Sequence, residues 1–223
     1  MKWFTKAMLG SMSLLAVIGF GYPAAHAQPC CGPIAAEGQR LASFLDASGV
    51  EHLWASGWHV DWKTGATDRS EPGGPEAKTH CSAFVAAMAD RLGIYILRPP
   101  EHRQGLLANA QMGWLGRDGA GAGWQPVAGP VEAQALANKG MLVVGAYENP
   151  DPHRAGHIAV IRPSLKEPDE LQEAGPQETQ AGATNALSTT VALGFSHHPG
   201  AWVPGGTGTI RFYSHAVDWT HIQ

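Results

Sequence analysis

The order of hydrophobic periods along this chain predicts an α+β fold, with N-terminal helices packed on a small antiparallel sheet. Two observations carry that expectation. Apolar residues recur at helical spacing through residues 34–47, 81–92, 103–115 and 130–137, and from Met141 onward the period becomes that of strands. The strand-like runs Met141-Leu142-Val143-Val144-Gly145-Ala146 and His157-Ile158-Ala159-Val160-Ile161 are separated by Asn149-Pro150-Asp151-Pro152, a turn composition that brings the second run back antiparallel to the first.

Each element follows from local signals. In the first helix Leu41, Phe44 and Leu45 share a face, and Gly49 is a stop signal. Residues 53–80, rich in Trp, Gly, Pro, Asp and Ser, form an irregular arm, within which Asp61-Trp62-Lys63 before Thr64-Gly65 is a turn. The strongest helix covers 81–92. Phe84, Val85, Met88 and Leu92 make its apolar stripe and Gly93 ends it. Pro99 and Pro100 separate it from the next helix, where Leu106, Leu107, Ala110 and Trp114 share a face. Residues 119–123 are a Gly-rich linker that lacks the lysine and following hydroxyl of a phosphate loop. Pro130 opens a helix that closes at Gly140. Residues 163–178, with their prolines, glycines and acids, are expected as loop, and residues 209–213 as a last strand.

The N-terminus predicts export. Lys2 and Lys6 precede an apolar run from Met8 to Phe20, and Ala25-His26-Ala27 offers the small-x-small pattern of a cleavage site. Residues 1–27 are therefore expected as a signal peptide, cut after Ala27, and 28–223 as one domain of a secreted or periplasmic protein. The apolar run is interrupted by Gly10, Ser11, Ser13, Gly19 and Gly21 and falls short of the about 20 residues of a membrane span, so no stable span is expected after processing. The leader carries two lysines and no acid, and without it the net charge of −4 becomes more negative. With no basic block, nucleic acid is excluded as an expected partner. A monomer is expected.

Cysteine usage points to chemistry. An exported chain oxidises its thiols in pairs, and three cysteines leave at least one over. Cys30 and Cys31 are adjacent and far from any strong period; a bridge between them is sterically demanding and is not the favoured expectation. Cys81 stands in Thr79-His80-Cys81-Ser82-Ala83-Phe84-Val85, where a loop becomes a helix. Unpaired N–H groups and the positive end of the helix dipole at that position favour a thiolate. His157, which opens a strand downstream, is the candidate base. The eleven histidines suggest zinc, but Pro152 and Gly156 break any helix through His153-x-x-x-His157, so no metal and no cofactor are expected.

A helix opening with Cys-Ser-Ala-Phe-Val, a helix ending in Lys-Gly, a Val-rich strand, a turn and a strand opening with Gly-His-Ile-Ala-Val together resemble the papain-like peptidoglycan hydrolases of the NlpC and CHAP type. The resemblance covers about residues 75–165 and extends more loosely to about 215. It implies a papain-like fold, Cys81 as nucleophile, His157 as base and a polar residue on the following strand that orients the histidine. Gln180, in Glu178-Thr179-Gln180-Ala181-Gly182, is the preferred third residue, with Asn185, His197 and His198 as competitors. The implied activity is cleavage of an amide bond in the stem peptides of peptidoglycan, through a thioester. An acyltransferase or transglutaminase-like enzyme on the same frame, a cell-wall peptide-binding module without catalysis, and an antibacterial effector amidase are the alternatives.

Overall fold

The computed structural model describes residues 1, 30–67, 79–206 and 208–222, so the expected signal peptide lies outside the described residues. Within them, six α-helices accompany a six-stranded antiparallel sheet in the order β1-β6-β2-β3-β4-β5. No helix among the described residues is long and apolar enough to cross a membrane.

The expected helices are present with small shifts. α1 (Ala36–Asp46) buries Gly38, Leu41 and Leu45. Gly38 is demanded by packing, because a Cβ there would collide with the carbonyl of Asn138 at the end of α4 (Pro130–Asn138). α2 (Cys81–Arg91) buries every residue from Cys81 to Ala89, where the sequence predicted a single stripe. It is covered on all sides, by the sheet residues Val144, Ile158 and Val160 and by Leu41, Leu45 and Trp54. Gly93, at φ +70°, closes it: Gly93 N–H donates to Asp90 O and Ile94 N–H to Ala89 O. α3 (Leu107–Arg117) begins later than its sequence pattern suggested, because Leu106 takes a left-handed conformation at φ 59°.

β2 (Leu142–Tyr147) and β3 (His157–Ile161) are wholly buried and sit at the centre of the sheet, paired from Val143–Ile161 to Tyr147–His157. Two cores account for this. One face carries Leu142, Val144, Ala146, Ile158 and Val160 against α2; the other carries Val143, Ala159, Ile161 and Phe212 against Ala133 and Ala137 of α4. Central strands buried on both sides lose the apolar-polar alternation of a half-exposed strand. The last strand, β6 (Arg211–His215), lies between β2 and β1 (Gln125–Val127), a short strand just past the Gly-rich linker that the sequence did not predict.

The stretch expected as loop contains α5 (Pro168–Ala174) and leads into β4 (Gln177–Gln180). Buried amides on α4 set its place. Gln134 accepts from Gln177 N–H and donates to Arg162 O, while Asn138 accepts from Ser164 N–H and donates to Ser164 O and Gly32 O. β4 then pairs with β3 through Val160–Thr179 and Ile161–Glu178, and with β5 (Ala186–Thr190) across a register shift between Glu178 and Gln180. α6 (Val191–Gly194) starts on a Thr190 cap and folds back over β4. Cys30, whose N–H donates to Lys166 O, forms a vicinal disulfide with Cys31, contrary to the sequence expectation, and Cys81 is free.

Asn185 fastens the turn between β4 and β5 to the segment after α1. Its Nδ2 donates to Val50 O and Leu53 O, each at 2.7 Å, and its Oδ1 accepts from Gly182 N–H. Asn185→Ala therefore strips several backbone groups of partners, at a cost of about 2 kcal/mol. A fall in melting temperature of roughly 5 °C by calorimetry is expected for a chain of this size.

Candidate active site

Antiparallel pairing of β3 with β4 brings His157 and Gln180 together. Cross-strand partners share a face of the sheet, so the Ile161–Glu178 pair puts 157, 159 and 161 on the same side as 178 and 180. From there His157 Nε2 reaches Gln180 Oε1 at 2.7 Å, with both side chains buried. Gln180 Nε2 donates to Thr184 O at 3.0 Å, which fixes the amide with its oxygen toward the imidazole. His157 therefore carries its proton on Nε2, where it donates to that oxygen. Nδ1 is left as the bare, basic nitrogen.

The ring is held from the sides as well. Phe195 meets it edge-on at 4.6 Å, and His198 stacks on it at 5.5 Å with 18° between planes. His198 also lies against Tyr147, the cross-strand neighbour of His157, at 5.0 Å. Gly156 precedes the histidine because a Cβ there would collide with Tyr147 O and Asn109 Oδ1. An open groove of about 490 Å³, lined by Leu106, Asn109, Glu148, Asn149, Pro150 and Pro152, runs along the β2–β3 turn beside this end of the sheet.

Cys81 stands at the first position of α2, with His80 at the cap. α3 secures that first turn, since Gln111 Nε2 donates to Ser82 O and Leu97 O. The thiol is buried, and the N–H groups of Ile158, Ser82 and Cys81 itself face the sulfur. Ile158 directly follows His157, so the sulfur abuts the peptide that opens the histidine strand. No hydrogen bond joins the thiol to the imidazole: the sulfur faces backbone amides, that of Ile158 among them, and Nε2 faces Gln180.

The electrostatics correct one sequence expectation. The helix start was expected to favour a thiolate, yet burial pushes the Cys81 thiol up, and the three amides only partly oppose it. Burial also lowers His157 to about 4; the Gln180 bond opposes this, while His198 and His197 add to the lowering. At neutral pH the thiol and the imidazole are thus both uncharged, not a standing ion pair. His80 is buried with Nε2 at 2.8 Å from Trp58 O, and so pins the arm over the start of α2.

The competitors for the third position have other places. Asn185 is spent on backbone groups, His197 is exposed, and His198 contributes a ring face to His157 rather than an acceptor. His153 is exposed in the turn while His157 is buried, and among the described residues no three His, Cys, Asp or Glu side chains group as metal ligands. Phe195, Tyr147 and Thr184 were not foreseen: Phe195 caps a four-residue helix and Thr184 lies in the turn before β5, both too brief to show a period, while Tyr147 ends β2 one residue past the strand the sequence predicted. No model of a known protein family matches the chain, and no curated protein matches it.

A neutral resting thiol has a measurable signature. Alkylation of Cys81 by iodoacetamide should be slower than that of free cysteine at pH 7 and rise only above the ordinary thiol range. His157→Ala should leave this profile unchanged. Fast alkylation at pH 6 that is lost in His157→Ala would instead reveal an ion pair.

Proposed function

We propose that this protein is an exported cysteine hydrolase of the papain-like, NlpC and CHAP type, cleaving an amide bond in the peptide part of bacterial peptidoglycan. The observation that carries the reading is the 2.7 Å bond from His157 Nε2 to Gln180 Oε1, which leaves Nδ1 basic on the residue just before Ile158, whose N–H faces the free Cys81 thiol at a helix start. A buried histidine held in one tautomer by an oriented amide, on the strand whose next N–H touches a thiol, has the components of a nucleophile, a base and an orienting group. The sequence resemblance over about residues 75–165 and the export leader supply the substrate class.

The resting state dictates the order of events. In the buried neutral pair the Cys81 S–H proton moves to His157 Nδ1 as sulfur forms its bond to the substrate carbonyl carbon, so charge appears only in the reacting complex. Backbone N–H groups at the start of α2 are the donors for the carbonyl oxygen as it becomes negative. The imidazolium then gives its proton to the leaving amine as the C–N bond breaks. Water, deprotonated by His157, hydrolyses the thioester and restores the thiol. Throughout, Gln180 Oε1 accepts from Nε2–H and keeps the ring from turning.

Purified peptidoglycan incubated with the mature protein should release peptide fragments with new amino and carboxyl ends, detected by mass spectrometry. Cys81→Ala should abolish release, and Gln180→Ala should lower kcat by about tenfold to a hundredfold, the range expected for losing an orienting hydrogen bond. Identical fragments from wild type and Cys81→Ala would sink the hydrolase reading.

A further inference from the structure

Two positions before Gln180 on β4, Glu178 is completely buried, and neither carboxyl oxygen has a hydrogen-bond partner. An ionised carboxylate there would be an unpaired charge in a low-dielectric interior, which costs several kcal/mol even after relaxation. Burial accordingly pushes its pKa well above the usual carboxylate range, and the group keeps its proton. A buried O–H without an acceptor is itself uncommon in a native fold, so its surroundings carry the explanation.

Those surroundings are the Gln180 amide. Glu178 and Gln180 lie on the His157 face of the sheet, and α6 closes over both at Gly194. A Cβ on Gly194 would collide with Glu178 Oε1 and come within 2.8 Å of Gln180 Oε1. The carboxyl and the amide oxygen thus share one small space beneath a glycine that no other residue could replace without moving them. An amide oxygen has two lone pairs. His157 Nε2–H occupies one, which leaves the other for a second donor.

We propose that Glu178 is a positioning residue for His157: a neutral carboxylic acid whose O–H is donated to the second lone pair of Gln180 Oε1, fixing that oxygen on the His157 Nε2–H. A small rotation about the terminal torsion of Glu178, which is broad and weakly restrained, turns the hydroxyl to that oxygen. The neutral state has a purpose of its own. A carboxylate beside the pair would draw His157 toward imidazolium and protonate the base before substrate arrives. The other titratable groups around the ring, His197 and His198, oppose imidazolium in the same sense.

The proposal rests on the hydrolase reading only where turnover is measured. In the full chain, Glu178→Leu should lower kcat about tenfold with KM unchanged, the scale of one lost hydrogen bond. Glu178→Gln, neutral and nearly isosteric, should restore most of that turnover. A second arm needs no substrate and uses the Cys81→Ala background, followed by proton NMR of the His157 ring. There the Nε2–H should stay slowly exchanging in Glu178→Gln and exchange about tenfold faster in Glu178→Leu, with the His157 titration midpoint unmoved in Glu178→Gln. Protection in Glu178→Leu equal to that of the parent would make Glu178 mere filling and overturn the proposal. A midpoint shifted by about one pH unit in Glu178→Gln would show a charged carboxylate and overturn it equally. If the wild-type protein releases nothing from peptidoglycan, the hydrolase reading fails, and the NMR arm still decides the role of Glu178.

Discussion

The contact on which the site depends is the buried 2.7 Å bond between His157 and Gln180 across β3 and β4. Its geometry is inherited from the sheet. β3 is central, and Gln134 of α4 accepts from Gln177 N–H at the start of β4, which holds the two strands in the register that sets Gln180 against His157. Because Gln180 is in turn held by Thr184 O, its oxygen cannot be exchanged for its nitrogen. A single tautomer of one imidazole is thus specified by a helix, two strands and a turn. Buried polar networks of this kind are costly when any member lacks a partner, so satisfying them also fixes the register of β4.

Burial sets the electrostatic character of the pair. The N–H groups around the sulfur favour a thiolate, but desolvation outweighs them and also disfavours a protonated imidazole. The two groups therefore rest uncharged, and in the proposed reaction the proton moves between them only as a carbonyl carbon arrives. Burial in the neutral form shields the thiol from adventitious oxidation and alkylation, and the neutral imidazole retains a basic nitrogen.

Much of this was legible in the sequence because the critical residues sit at element boundaries with strong local signals. Cys81 follows a loop and opens the longest buried apolar run, and His157 follows Gly156 and opens an unbroken strand. Gln180 could be placed because the chain must return beside β3 after its loop. Glu178 could not: in Gln-Glu-Thr-Gln a glutamate suggests a solvent-facing position, and nothing local reveals that α6 covers it. α5 did leave a trace, since Glu167-Pro168-Asp169-Glu170 forms a capping box with proline in the first turn, but the surrounding prolines and acids masked it. Leu106 shows the opposite failure. Its apolar spacing belongs to a helix, while its left-handed backbone delays the start of α3. Trp54 and Trp124 are fully buried core residues, although each stands in a stretch whose composition reads as loop or linker.

The most direct test is the protonation pattern of one ring. Long-range nitrogen-proton correlation NMR on the wild-type protein at pH 7, with the His157 signals assigned by mutation, distinguishes the two nitrogens by shift. A proton on Nε2 and none on Nδ1 is the expected result, with the pattern disturbed in Gln180→Ala. A proton on Nδ1, or a fully protonated ring at that pH, would contradict a base held ready by Gln180.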